Sequence, residues 1–274
     1  MSKENPNILL IGDYCEDRLV LLKCDRLSPE MAIPVAKIIE EVSSPGMAGN
    51  VLNNLRSICP TCNVVFLTQD EEIIKTKYVE KSSNHQFIRI DKEANSKPAT
   101  ISSILKFISK DLDAVVISDY NKGYLTESVM QDIFELCFRL GIPTFVDSKK
   151  KSGNWSSLAT WVKINNSEFQ KSPEWEKYCQ NLIVTKGEEG SYYYNHLADS
   201  ELFIPATKVA VSDLAGAGDT YFAAFIIKYI QTDDIEISMK FANYAAGIAV
   251  SKRGTYAVSC DDLVCFGKYL NEQI

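Results

Sequence analysis

The sequence predicts an α/β protein in which a mostly parallel sheet is covered by helices on both faces. Six short apolar runs support this: "NILLIG", "NVVFLT", "DAVVIS", "IPTFVD", "TWVKI" and "NLIVTKG". Each has the length and continuity of a strand buried on both sides. Helical patterns with apolar residues near a 3.6 spacing lie between them, and that alternation is the mark of parallel strands joined by crossover helices. No repeat, low-complexity tract or linker interrupts the pattern, so residues 1–274 read as one domain.

Taken in order, "MSKENPNILLIGD" passes into the first strand too quickly to hold a signal peptide. No apolar run approaches the roughly 20 residues that cross a bilayer, so a cytoplasmic chain without membrane contact is expected. Residues 18–42 break the alternation. "RLVLLKCDRLSPEMAIPVAKIIEEVSS" reads as two extended segments around a Ser-Pro turn, too polar for a central sheet, and predicts a small antiparallel flap. The alternating "IPVAKIIEEV" leaves an apolar face that a lone two-stranded ribbon cannot bury. The flap is therefore expected to cover a ligand and to pair with a second copy as a homodimer. Next, "CPTC" places Cys59 and Cys62 in a loop between a helix and "NVVFLT". With two histidines, His85 and His196, and no second such pair, plain thiols are expected there, against a redox or metal role. "TESVMQDIFELCFRLG" predicts a helix stopping at Gly141, and Thr220 to Ile230 another.

Hydrophobic residues make up 46% of the chain and charged residues 24%, enough for a sizeable core. A net charge of -7 argues against a general nucleic-acid binder but leaves room for a local basic pocket.

In open parallel sheets, ligands sit beyond the carboxyl ends of the strands. Polar clusters fall at those ends: Asp13 and Asp17, "DYNKG" (119–123), "DSKKK" (147–151), "NNSE" (165–168) and "TKGEEG" (185–190). The stretch "SDLAGAGDTYFAAF" adds Asp219 at the mouth of a helix, directly after Gly216, Ala217 and Gly218. Either Asp219 is a favourable first-turn carboxylate, or small residues uncover amides for an anion with a base held beside it.

"DLAGAGDTYFAAF" resembles the C-terminal signature of the ribokinase-like (PfkB) sugar kinases. "NNSE" is similar to that family's N-x-x-E element, "TKGEEG" to its T-x-G-x-x-G turn, and "ANYAAGIAVSKRGTYAVS" (242–259) to the helix and loop flanking adenine. The resemblance covers almost the whole chain and implies a three-layer sandwich with a β lid. It also implies ATP and Mg²⁺ as cofactors, and a sugar or sugar phosphate as acceptor. A monovalent cation (K⁺) near Asp213 and the 249–259 loop is common in the superfamily. "GDYCEDR", "LSPEMAIPVAKI", "SPGMAGNVLNNL", "HQFIRIDKE", "SDYNKGYLT" and "VDSKK" look like the branch acting on heptose 7-phosphate in lipopolysaccharide-precursor synthesis.

What the resemblance implies for individual residues is as follows. Asp219 takes a proton from the sugar hydroxyl, and the amides of Gly216, Ala217 and Gly218 hold the phosphoryl oxygens. Asn165 and Glu168 order Mg²⁺, through water; the alternative is a helix capping box. Thr185, Lys186 and Gly187 lie along the triphosphate, with Lys149 near the nucleotide. Asn243 lies near the base, or is simply a helix polar-face residue. Asp17, Gly46 and Asn50 face the sugar. Asp13 does so too, or caps its adjacent turn. Arg89 and Lys122 are candidates for a substrate phosphate, with solvated charge as the alternative for each lysine.

The chain departs from the branch at Met47, where Gly-Gly is usual for residues 46–47, and at Ala215, usually Thr. Residues 66–90 are short, with barely room for one element where a helix and a strand usually follow Gln69 and Asp70. Some relatives carry a nucleotidyltransferase domain with an H-x-G-H signature. That signature is absent here, so such a step is expected on a separate polypeptide. The alternatives are a kinase for another sugar or a nucleoside, and a non-catalytic sensor.

Overall fold

The computed structural model describes residues 3–172 and 174–272. The six apolar runs are strands, as expected. They are β1 (Asn7–Gly12), β4 (Asn63–Leu67), β7 (Ala114–Asp119), β8 (Thr144–Ser148), β9 (Trp161–Asn165) and β10 (Asn181–Thr185). All pair in parallel, in the spatial order β10-β9-β8-β7-β1-β4. Ile8 to Ile11 are fully buried, because helices cover both sheet faces.

On one face pack α1 (Ala48–Ile58), α6 (Ala217–Thr232) and α7 (Ile235–Val250), with Phe222, Phe225 and Ala242 against Leu10, Val116 and Phe145. The other face holds α2 (Ile101–Leu105) and α3 (Glu127–Leu140), with Ile104, Met130 and Phe134 against Leu9, Val115 and Val162. Thr126 caps α3 by accepting from the Val129 N–H, and Gly141 ends it in the left-handed region at φ 71°. Shorter helices follow: α4 (Asn166–Lys171), α5 (Trp175–Tyr178) and, at the end, α8 (Phe266–Glu272).

Two strands were not read from the sequence. β11 (Gly190–Asn195) and β12 (Ser200–Pro205) extend the β10 edge antiparallel. Their connection is too short for a crossover helix, so the direction reverses.

The flap is wider than residues 18–42. β2 (Tyr14–Leu27) and β3 (Pro34–Met47) form the antiparallel pair around residues 28–33. The short stretch after Gln69 then supplies β5 (Ile74–Glu80) and β6 (Gln86–Lys92), with no helix. β5 pairs in parallel with β2, giving a mixed sheet in the order β3-β2-β5-β6. A two-stranded ribbon is marginal alone, and the hairpin of residues 74–92 gives β2 a second bonded neighbour.

Cys59 and Cys62 follow α1 as free thiols, with Cys59 Sγ 3.7 Å from the Glu4 carbonyl. Hydrogen bonding from Cys62 lowers the Cys59 thiol to about 6. Among the described residues no group of three or more His, Cys, Asp or Glu could hold a metal, and no helix is long and apolar enough to cross a membrane.

Candidate active site

Beyond the carboxyl ends of β7 to β10 the chain leaves a cavity of about 1180 Å³ that reaches the start of α6. Gly216 caps α6 in the left-handed region at φ 79°, where an L side chain is strained, and a Cβ there would stand 2.7 Å from Asn50 Nδ2. The first N–H groups of a helix have no intrahelical acceptor; Ala217 donates its own to the Leu214 carbonyl in a long 3.4 Å bond, and both Ala217 and Gly218 line the cavity.

Asp219 is buried in the first turn with both carboxylate oxygens engaged. Asn50 Nδ2 donates to Oδ2 at 2.8 Å, and the Tyr120 hydroxyl donates to Oδ1 at 2.8 Å. Asn54 steadies Asn50, donating to its carbonyl at 2.9 Å and accepting from the Thr220 hydroxyl at 3.0 Å. Burial raises the Asp219 carboxyl above its ordinary value. The Asn50 donor opposes this, nearby Asp147 adds to it, and Lys163 and Tyr120 pull it down. The result is a carboxylate kept from water, fixed in orientation and more basic than usual.

Tyr120, Lys163 and Asp147 are site residues that the sequence reading missed. Lys163 points from β9 into the cavity wall and donates to Asp147 Oδ2 at 2.7 Å, both side chains being buried. A Cβ on Gly218 would lie 3.1 Å from Lys163 Nζ, so this ammonium flanks the start of α6. Asp147 Oδ1 is buried without a hydrogen-bond partner among the described residues. The signal was present in "TWVKI", because a lysine inside an apolar strand has to meet a counter-charge.

Asn165 and Glu168 do form a capping box. Asn165 Oδ1 accepts from the Glu168 N–H and Glu168 Oε2 from the Asn165 N–H, both at 2.9 Å. The remaining Glu168 oxygen pairs with Lys149, whose Nζ also lies 5.3 Å from the Tyr120 ring centroid. Thr185 and Gly187 line the cavity, and Lys186 lies 4.0 Å over the Tyr192 ring. Asn243 lines it too, but its amide is spent on structure. It donates to the carbonyls of Ile204 at 3.0 Å and Pro205 at 3.1 Å and accepts from Ser191. The far end of the cavity is apolar, with Val209, Val211, Leu214, Ala246 and Val250. Asp213 accepts from the N–H groups of Ala215 at 2.9 Å and Gly254 at 3.1 Å, tying the loop after α7 to the turn before α6.

On the flap side Asp17 lies beside Gly46, where an added Cβ would stand 2.2 Å from Asp17 Oδ2. Glycine is therefore needed for this strand to pass the carboxylate. Asp13 mainly organises the 119–123 loop. Its Oδ2 accepts from the N–H groups of Tyr120 at 2.8 Å and Lys122 at 3.2 Å, and its Oδ1 is buried without a hydrogen-bond partner. The two cations expected to meet a substrate phosphate are already compensated. Arg89 forks onto Asp91 with two bonds of 2.7 Å, and Lys122 pairs with Glu93 at 2.7 Å.

Met47 caps α1 at φ 56° and ψ -131°, a region that ordinarily takes glycine. Its buried side chain packs with Cys15, Ile73 and Tyr120. A backbone outlier of this kind costs roughly 1–3 kcal/mol.

A sequence profile of the pfkB family carbohydrate kinases matches residues 54–262. The chain belongs to this family. The kinase is 30% identical to the bifunctional protein HldE of a Nitratiruptor species over 302 residues, covering 94% of this chain and 64% of that one. It thus spans just under two-thirds of the curated relatives it matches. By fold it is similar to phosphofructokinase-2 of Escherichia coli in complex with potassium, with a TM-score of 0.74 at 17% identity. That match covers 99% of this chain and all of the other. Ribokinase of Arabidopsis thaliana complexed with ribose and ATP aligns at a TM-score of 0.72 and 13% identity, over 95% of this chain and 98% of that one. The family and these neighbours make the chain a ribokinase-like phosphotransferase that acts on sugar hydroxyls.

Proposed function

We propose that this kinase transfers the γ-phosphoryl group of ATP to the 1-hydroxyl of a heptose 7-phosphate. The observation that carries the reading is the placing of Asp219. It is buried and held by two donors, in the wall of the cavity beyond β7 to β10. Identity with HldE proteins supports heptose as the acceptor.

The acceptor hydroxyl gives its proton to Asp219 as its oxygen bonds to phosphorus, and the bond from phosphorus to the leaving ADP oxygen breaks. The amides of Ala217 and Gly218, with buried Lys163 beside them, hold negative charge on the transferring oxygens. The amides at the start of α6 and the cavity with one apolar end fit a nucleoside triphosphate. Glu168 and Asp147, whose Oδ1 has no hydrogen bond among the described residues and lies 3.9 Å from Lys149 Nζ, are the carboxylates suited to Mg²⁺, which neutralises phosphate charge when bound and keeps several waters. Asp17 and the free oxygen of Asp13 are acceptors for sugar hydroxyls.

Met47 favours one competing reading, a neutral sugar or a nucleoside, since its side chain narrows the space that glycine leaves open in the heptose branch. ATP turnover measured against heptose 7-phosphate, the free heptose, other sugars and nucleosides tests the proposal. Heptose 7-phosphate is expected to give the highest kcat/KM by at least tenfold. Equal or better use of an unphosphorylated acceptor overturns it.

A further inference from the structure

Arg89 and Lys122 are both paired with carboxylates, but the flap carries a further cation, Lys75. The register across the sheet sets Ser44, Asp17, Lys75 and Asp91 side by side in one row. Residues opposite one another in a sheet point to the same face, so Lys75 shares the face of Asp17. The next row, Leu19, Lys77 and Arg89, adds two more cations to that face.

The Lys75 ammonium lies 5.9 Å from the Tyr120 ring centroid, and the hydroxyl of that ring donates to Asp219. One tyrosine ring therefore separates Lys75 from the carboxylate at the mouth of α6. Beneath lies an apolar floor of Cys15, Met47 and Ile73, against which Tyr120 packs.

Arg89 is satisfied by Asp91, Lys122 by Glu93 and Lys149 by Glu168, while Lys77, also without an ion pair among the described residues, lies one row farther from Asp17. Lys75 is half-buried and has no ion pair or hydrogen bond among the described residues, in a chain whose net charge is -7. A half-buried ammonium flanked by Asp17 and Asp91 in register but in ion-pair contact with neither, and within one ring of Asp219, is arranged for an anion brought by the acceptor.

We propose that Lys75 of β5 receives the anionic group of the acceptor, with Asp17 beside it taking a hydroxyl. This rests on the acceptor being a phosphorylated sugar. It explains how the short stretch after Gln69 can serve the site: folding as a strand of the flap, it delivers a cation that a helix at that point would direct elsewhere.

Calorimetric titration of the full chain with heptose 7-phosphate and with the free heptose, without ATP, tests the assignment. The wild-type chain is expected to bind the phosphorylated sugar more tightly. Lys75→Met is expected to lower that preference by about ten- to a hundredfold, the worth of one charge-assisted contact. Lys75→Arg should restore most of it, which separates lost charge from disturbed folding. A wild-type chain that binds both sugars equally, or neither, overturns the anion site together with the heptose 7-phosphate reading. A chain that prefers the phosphorylated sugar but is unmoved by Lys75→Met, or loses more through Lys122→Met or Arg89→Met, overturns only the role of Lys75.

Discussion

On the cavity side of Asp219 the polar groups come from the ends of parallel strands and the start of one helix. Gly216, Ala217, Gly218 and Asp219 are consecutive, and Asn165 and Glu168 share one helical turn. On the flap side Asp17, Gly46 and Lys75 come from three strands and meet only through cross-strand register. The first arrangement relies on backbone amides and local spacing, so Ala215 can stand where the family usually has Thr. The second relies on side chains delivered by pairing. A strained Met47 or a shortened segment can reshape it without touching the phosphoryl-transfer groups. On the proposed reading, chemistry and acceptor choice are thus held by different parts of the fold.

If that division holds, the largest effect comes from the shared base. Asp219→Asn is expected to lower kcat by about 10²–10⁴ while leaving nucleotide affinity nearly unchanged, checked by turnover and by titration with ATP. A variant within a few-fold of wild type would remove Asp219 as the base.

A smaller effect is expected where the two sides touch. Tyr120→Phe removes the hydroxyl that donates to Asp219 and should cost about tenfold in kcat, as for a hydrogen bond to a charged group. That donor opposes the burial which raises the Asp219 carboxyl, so removing it raises the carboxyl further. Asp219 acts deprotonated, and activity falls as pH falls through its pKa. The acid limb of the pH–rate profile should therefore move to higher pH. An unmoved limb would show that Tyr120 only fills space.

The smallest effect on rate is expected from the outer face of the flap. Ile38, Ile88 and Ile90 lie on the face away from Asp17 and Lys75, and all three are more than half exposed. A second copy of the chain is the proposed cover. Ile90→Lys should turn a dimer into a monomer at micromolar concentration in sedimentation, while changing kcat by less than about twofold. A wild-type chain that sediments as a monomer removes the dimer.

Much of the cavity side was legible because its motifs are short and their neighbours in space are neighbours in sequence. The capping-box alternative for Asn165 and Glu168 proved correct as geometry, and the spacing proposed to serve Mg²⁺ is one that starts a helix. Asn243 was legible as a cavity residue, but not as the clasp on the carbonyls of Ile204 and Pro205. The flap side was read less well. Arg89 and Lys122 were chosen because they sit in recognisable motifs, yet Asp91 and Glu93 neutralise them.

The sequence by itself determined the α/β class, the six parallel strands, the helix stop at Gly141 and the pairing of G-A-G with Asp219. These follow from periodicity and from backbone rules acting over a few residues. Only the tertiary structure decided that β5 joins β2, that Lys75 stands beside Asp17 with no ion pair among the described residues, and that Tyr120 and Asn50 hold Asp219. Charge compensation and strand register depend on which distant segments meet, and that is set when the whole core closes.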